Sequence, residues 1–140
     1  MTREEMSRKF RQYRGLRLEC ERLRERLKEK RQEIYSVRVA VSDCAGIRSG
    51  DISDKVERAV ELIDSLTHFY AEKIARMEGE EREIAEWISR ISDSENRSIL
   101  FMHYIECRTL EEIGEKLFLS ERTVWNRRNA ALDELCKLAG

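Results

Sequence analysis

Apolar residues recur every three or four positions along the first forty residues. The residues that keep this spacing are Met6, Phe10, Tyr13, Cys20, Leu23, Leu27, Ile34, Val37 and Val41. Arg17 and Lys30 fall at the same spacing and interrupt the apolar run. Such a repeat places its residues on one stripe of a helix, as in a coiled coil. The pattern predicts one helix from about Thr2 to Ala40, with Gly15 as its weak point.

A second repeat of the same kind covers residues 56–91. Its positions are Val56, Val60, Ile63, Tyr70, Ile74, Met77, Ile84, Ile88 and Ile91, with interruptions at Thr67 and Glu81. The pattern predicts a helix from about Asp54 to Ser92. Ser53 stands where an N-cap is expected, and residues 42–53, which contain two glycines, predict a loop.

Two long helices of nearly equal length, joined by a short loop, favour an antiparallel, coiled-coil-like hairpin over residues 1–93. A hairpin of two helices buries little apolar surface by itself. We therefore also expect a homodimer or a higher oligomer that forms through the long helices.

Three shorter helical segments follow in residues 94–140. Residues 92–96 form a break in which Ser92 or Ser94 is the expected N-cap. The segment 97–106 has helical spacing, and "CRT" then predicts a turn. Thr109 and Glu112 match the capping box T-x-x-E, which opens a short helix through Leu117.

The last two segments have the residues that a helix-turn-helix unit needs. Ile113 and the small Gly114 suit the place where the two helices cross, and Ser120 is the expected N-cap of the final helix, which extends to about Leu138. Leu117 and Leu119 flank the turn, and Val124 is the branched residue that the second helix buries. The sequence therefore predicts an all-α protein in which a small helix-turn-helix unit at 94–140 follows the hairpin.

The exposed face of the last helix is the candidate DNA-binding surface. Its residues are Ser120, Glu121, Arg122, Thr123, Trp125, Asn126, Arg127, Arg128 and Asn129. Arg pairs with guanine, Asn pairs with adenine and Glu accepts from cytosine in the major groove. Thr123, Trp125 and Arg128 are better placed for phosphates or sugars, and Arg127 can lie along the core edge with its guanidinium at a phosphate.

Composition and charge agree with an all-α protein. The 140 residues include no proline and six glycines, and 39% of them are charged. Residues 1–40 carry 13 Lys and Arg against 7 Asp and Glu, residues 41–93 carry 7 against 13, and residues 94–140 carry 7 against 8. The basic segment can pair with the acidic segment that follows it, or it can touch DNA phosphates.

Other classes of function have little support in the sequence. The start, "MTREEMSRKFRQYRG", lacks the apolar core of a signal peptide, and no segment approaches 18 apolar residues. We expect a cytoplasmic protein without membrane contact. The four cysteines are too far apart for a zinc site, and no Gly-rich phosphate loop or Ser/His/Asp set is present. No enzyme, metal or cofactor is expected.

The C-terminal third resembles region 4 of the sigma-70 family of RNA polymerase subunits and related helix-turn-helix regulators. The resemblance rests on "TLEEIGEKLFLSERTV", then "ALDEL", and covers residues 95–138. It implies that Glu121, Arg122 and Asn126 read bases. Phe118 departs from the family where glycine is common, and Arg127 departs where Ile or Leu is usual.

The whole chain also resembles small phage and prophage proteins that are treated as transcriptional regulators, in part through "RSGDISDKVERAV". This resemblance implies sequence-specific binding to double-stranded DNA, with RNA polymerase as a second candidate partner. Three alternatives remain open at this point. The chain could be a phage packaging protein like a small terminase subunit, an adaptor that binds RNA polymerase or a sigma factor without DNA, or a structural helical adaptor.

Overall fold

Helices make up nearly all of the structure, a computed structural model that describes residues 1–43 and 49–139. The long helices are α1, Arg3–Asp43, and α2, Ser49–Ser89. The shorter ones are α3, Ser94–Leu100, continued by a π-helical turn, Phe101–Ile105, then α4, Leu110–Leu117, and α5, Glu121–Leu138. No strand occurs in these two ranges. The predicted all-α fold, with long helices α1 and α2 packed as a hairpin and shorter helices after them, is confirmed.

The predicted loop at 42–53 is too long. Residues 42 and 43 belong to α1 and residues 49–53 belong to α2, while residues 44–48 of that prediction lie outside the described residues. Ser53 is therefore inside α2 and is not its N-cap. Ser, Asp and Gly each cost a helix only about 1 kcal/mol or less, and no proline blocks it, so the helices continue into this polar stretch.

The chain divides into two compact units. Unit 1 consists of Met1–Leu16 and Met77–Gly140, and unit 2 consists of Arg17–Arg76. The boundary expected from sequence at residue 93 falls inside unit 1. The start of α1 and the end of α2 thus belong to the same compact body as the three C-terminal helices.

The main core of unit 1 joins three parts of the chain that are far apart in sequence. Its buried residues are Met6, Phe10, Tyr13, Ile84, Ile88, Ile91, Leu100, Ile105, Ala131 and Leu135. Phe10 stacks on Tyr104, with ring centroids 3.8 Å apart and an angle of 16° between the rings. The Tyr13 hydroxyl donates to a Glu81 carboxylate oxygen at 3.2 Å, which gives the charged position in the second apolar repeat a polar partner.

Polar contacts at the surface connect α1 to α5 and to α2. Arg3 donates to the Asp133 carboxylate at 2.8 Å and to the backbone carbonyl of Asn129 at 3.0 Å. Lys9 pairs with Glu83 at 2.8 Å. The first turn of α1 is therefore attached directly to the middle of α5, although more than 120 residues separate them in sequence.

A second core cluster lies between α3, α4 and α5. Ile99, Ile113 and Val124 are fully buried there. The side chains packed around them are Met102, Leu110, Leu117 and Leu119. The residues predicted to hold the two C-terminal helices together, Ile113, Gly114 and Val124, are thus buried as expected.

Local capping signals predicted two of the three short helices closely. Thr109 and Glu112 form the predicted capping box at the start of α4. The Ser120 hydroxyl accepts from the Thr123 backbone amide at 3.2 Å and begins α5 as predicted. The N-cap of α3 was predicted wrongly, because it is Asp93. Ser92 instead donates to the Glu134 carboxylate of α5 from both its amide and its hydroxyl, at 3.2 Å each.

The turn between α4 and α5 is tight and has a left-handed residue in it. Phe118 has φ 57° and ψ 42°, and its side chain is 95% exposed. A non-glycine residue in this conformation costs about 1–2 kcal/mol. The Phe118 and Leu119 amides both donate to the Gly114 carbonyl, Leu119 at 2.9 Å, and these bonds close the turn. The turn thus keeps the geometry that glycine usually supports, although phenylalanine occupies the position.

Unit 2 is a pair of helical segments with a thin core. Among those of its residues whose burial the structure describes, the buried apolar ones are Cys20, Leu27 and Leu66. Lys73 pairs with Glu19 at 2.8 Å, and this hydrogen bond lowers the pKa of the Glu19 carboxyl. Large apolar side chains remain exposed, including Tyr35 at 71% and Phe69 at 55%. Within the described ranges of the whole chain, no helix combines the length and apolar character that crossing a bilayer requires.

Gly114→Ala is expected to destabilise the protein by about 1–3 kcal/mol, because overpacking a tight contact has a cost of this size. A Cβ at this position would lie 2.6 Å from the backbone carbonyl oxygen of Leu119, which cannot move without moving α5. Urea denaturation followed by circular dichroism measures the change.

Gly79→Ala is the matched control, since it is also a glycine inside a helix but a Cβ there meets nothing within 4 Å. This variant should gain about 0.5–1 kcal/mol from helix propensity. Equal effects of the two substitutions would contradict the close approach of α4 to the turn.

Candidate nucleic-acid interface

The first two turns of α5 present a polar surface to solvent. Val124, Ala131 and Leu135 are the fully buried residues of this helix. Because their spacing follows the helical period, the side chains between them at the start of the helix point outward. The exposed residues among those predicted to bind DNA are Ser120, Glu121, Arg122, Trp125 and Asn126. They include all three of the residues expected to read bases.

Arg122 and Trp125 contact each other on this surface. The guanidinium carbon of Arg122 lies 5.9 Å from the centre of the Trp125 ring, within the range of a cation–π contact. Together with Leu110 and Glu121, the pair lines a shallow groove beside the start of α4. The aromatic ring restricts the rotamers of a long cationic side chain, so less conformational entropy is lost when that side chain binds.

Ser120 and Thr123 shape the start of α5. Their hydroxyl oxygens lie 2.8 Å apart, and Ser120 also accepts from the Thr123 amide. Thr123 is half-buried, unlike its exposed neighbours Glu121 and Arg122. Both hydroxyls therefore form hydrogen bonds within the helix cap, although Ser120 remains exposed to solvent.

The remaining three predicted DNA contacts have partners inside the protein. Arg127 forms an ion pair with Glu95 of α3. Arg128 donates to the Asn129 side-chain oxygen at 3.2 Å and lies 3.5 Å from a ring nitrogen of His103. The Asn129 backbone carbonyl accepts from Arg3. These half-buried residues connect α5 to α1, to α3 and to the π-helical turn, and they lie apart from the exposed groove.

Sequence reasoning missed Leu110 and Arg3. Leu110 borders the groove because the capping box fixes it as the first residue of α4, a position that the T-x-x-E signal could have identified. Arg3 donates a hydrogen bond to Asp133 of α5, which is 130 residues away in sequence. No local pattern predicts a partner so far along the chain.

His103 lies in the π-helical turn beside Arg128, and its hydrogen-bond partners define its protonation state. Its Nδ1 lies 2.9 Å from the Arg108 carbonyl oxygen, so Nδ1 carries the hydrogen. Its Nε2 faces the Arg128 guanidinium, which can only donate, so Nε2 is the acceptor. Burial lowers the pKa of His103, the bond to Arg108 opposes this shift, and Arg128 and Arg14 lower the pKa further. The imidazole is therefore neutral in the folded protein near pH 7.

The stability of the protein is expected to fall as the pH drops from about 7.5 to about 5.5, in part through His103. The unfolded chain takes up the proton near the ordinary pKa of about 6.5, while the folded protein resists it to lower pH. Protonation therefore favours the unfolded state across this window. Urea midpoints measured at both ends of the window should decrease less for His103→Asn, which keeps a donor toward Arg108. An identical decrease in the variant and the wild type would contradict the assignment.

Comparison with curated proteins and with solved structures gives no match. A family model described as "Protein of unknown function (DUF1492)" matches residues 46–136. The matched segment includes all of α2 and all of the exposed groove at the start of α5. The chain therefore belongs to this family of proteins of unknown function.

Proposed function

We propose that the protein is a sequence-specific DNA-binding regulator of transcription whose α4 and α5 act as a helix-turn-helix unit resembling sigma-70 region 4. The observation that carries this proposal is the exposed Arg122–Trp125 pair at the start of α5, with Glu121 and Asn126 beside it. In a helix-turn-helix unit the N-terminal residues of the second helix contact base edges in the major groove. The proposed activity is binding without catalysis.

Support also comes from the way α5 is held. Gly114 lets α4 approach the turn closely, Ser120 caps α5, and Val124 anchors its first turns in the core. The helix therefore presents Arg122 and Asn126 from a fixed backbone. Preorganised side chains lose less entropy on binding, and this favours specific recognition.

The roles of the side chains follow from their chemistry. The Arg122 fork matches the two acceptors of guanine, and the Asn126 amide matches the donor and acceptor of adenine. Glu121 can accept from cytosine, and its charge repels phosphates, so it opposes non-specific binding. Trp125 lies beside Arg122, where its ring can contact a sugar or a phosphate.

Selection from a random duplex pool, followed by fluorescence anisotropy on the selected duplex, tests the proposal. Arg122→Ala and Asn126→Ala should each lose about 1–3 kcal/mol of discrimination at the base they read. Glu29→Ala, at an exposed position on α1 in unit 2, is the control and should bind as the wild type does. Wild-type affinity in both interface variants would contradict the assigned face.

The same samples separate the alternatives. Absence of DNA binding by the wild type, together with capture of RNA polymerase from nuclease-treated lysate, would favour the adaptor. A ring of many subunits in light scattering would favour the packaging protein. Selective DNA binding by a small oligomer supports the regulator.

We further propose that unit 2 mediates self-association. The exposed Tyr35, Leu62 and Phe69 leave apolar surface on a hairpin whose own core is thin. Removing a large aromatic side chain from water contributes about 25 cal/mol for each Å² of apolar area, so pairing with a second copy would stabilise this unit. Two copies would also present two reading helices to DNA, and affinity would gain from their combined binding.

Sedimentation velocity should show a dimer or higher oligomer that Leu62→Glu/Phe69→Glu weakens at least about tenfold, since burying two carboxylates at an interface is strongly unfavourable. The control Asp64→Ala/Glu72→Ala changes exposed positions on the same helix and should not weaken association. A monomeric wild type at all concentrations would exclude self-association.

A further inference from the structure

A cleft with several arginines lies in unit 1, beside the groove at the start of α5. It has a volume of about 490 Å³, and its walls come from α1, from the π-helical turn with the residues that follow it, and from the start of α4. Arg11 and Arg14 contribute from α1, and Arg108 contributes from the turn before α4. Phe10 and Tyr104, stacked on each other, also line the cleft.

Arg11 and Arg14 of this cleft form no ion pair with any residue that the structure describes. Ser7, Arg11 and Arg14 are spaced four and three residues apart, so they share one face of α1. Both arginines are exposed, and no ion pair with either is found among the described residues. Arg11 donates weakly to the Ser7 carbonyl at 3.5 Å. The two guanidinium groups are therefore available to donate hydrogen bonds to an anion.

Arg108 is different because it is held in place. Its Nε donates to the Glu106 carboxylate at 2.5 Å, and its backbone amide donates to the Met102 carbonyl at 2.9 Å. Its own carbonyl accepts from His103. Arg108 is thus a fixed cation at the wall of the cleft, with one carboxylate that competes against any incoming anion.

The position of the cleft indicates which anion it takes. Leu110 lines this cleft and also lines the groove formed with Arg122 and Trp125, so the two openings adjoin. Residues 94–140 alone carry 7 Lys and Arg against 8 Asp and Glu, too few cations for strong attraction to phosphates. Arg11 and Arg14 supply additional positive charge from the far end of the chain.

We propose that Arg11, Arg14 and Arg108 bind a phosphate of the DNA backbone that flanks the bases read by α5. A guanidinium donates two parallel hydrogen bonds to a phosphate, and this geometry positions a duplex without reading its sequence. The N-terminal helix is then part of the DNA-binding surface. This inference rests on the proposed function, because it assigns the backbone contact of the same interface.

Arg11→Gln/Arg14→Gln tests the cleft by anisotropy between about 50 and about 200 mM salt. Each lost phosphate contact reduces the slope of log affinity against log salt by about 0.9, so loss of the one phosphate bound in the cleft should reduce the slope by about one. Affinity at about 0.1 M salt should fall at least about tenfold on the selected duplex and on an unrelated one alike. Glu106→Gln, which frees Arg108 from its carboxylate, should raise affinity for both duplexes.

Arg8→Gln/Arg26→Gln is the matched control, with the same loss of charge at exposed positions of α1 outside the cleft. It should keep the wild-type slope. If the cleft variant also keeps that slope while Arg122→Ala loses specificity, the cleft proposal is overturned and the proposed function stands.

Titration with inorganic phosphate, followed through the backbone amide signals of His103 and Arg108, separates the two proposals. If the wild type binds no DNA, the proposed function fails and with it the DNA backbone as the source of phosphate. Signals that then move in the wild type but not in Arg11→Gln/Arg14→Gln would support the cleft as a site for free phosphate. Signals that move in neither protein would overturn the cleft as a phosphate site.

Discussion

The packing of the first turns of α1 against the end of α2 and the far half of α5 is the constraint on which unit 1 depends. Without Met6, Phe10 and Tyr13, the buried faces of Ile84, Ile88 and Leu135 would meet water. The segment α3–α5 has fewer than fifty residues, a size at which a chain rarely buries enough apolar surface alone. The proposed recognition surface is therefore positioned by contacts between the two ends of the sequence.

Helix α5 combines two kinds of surface along its length. Its beginning is solvated and carries Arg122 and Asn126, while its second half is buried through Ala131 and Leu135. Arg127 lies where the two kinds of surface meet. An apolar residue at this position would add to the core. Arg127 instead forms a half-exposed ion pair with Glu95, and such a pair contributes about 1 kcal/mol or less to the stability of the protein.

Features that depend on neighbours in sequence could be predicted, and features that depend on distant partners could not. The capping box at Thr109, the cap at Ser120 and the small residue at Gly114 all act within a few residues, so their patterns are visible in the sequence. The hydrogen bonds from Arg3 to Asp133 and from Ser92 to Glu134 form only once the chain has folded. The same reason explains the π-helical turn and the internal partners of Arg127 and Arg128, which removed them from the exposed face expected for them.

The contact at Gly114 lies near the start of α5, so a tilt of the helix about this contact would displace its two halves unequally. At about 1.5 Å of rise per residue, Asn126 lies roughly 9 Å along α5 from the turn, while Leu135 lies roughly 22 Å away. A small tilt about this point would displace Leu135 more than twice as far as Asn126. A tilt of α5 about this contact would therefore displace Arg122, which is proposed to touch DNA, by a smaller distance than Leu135.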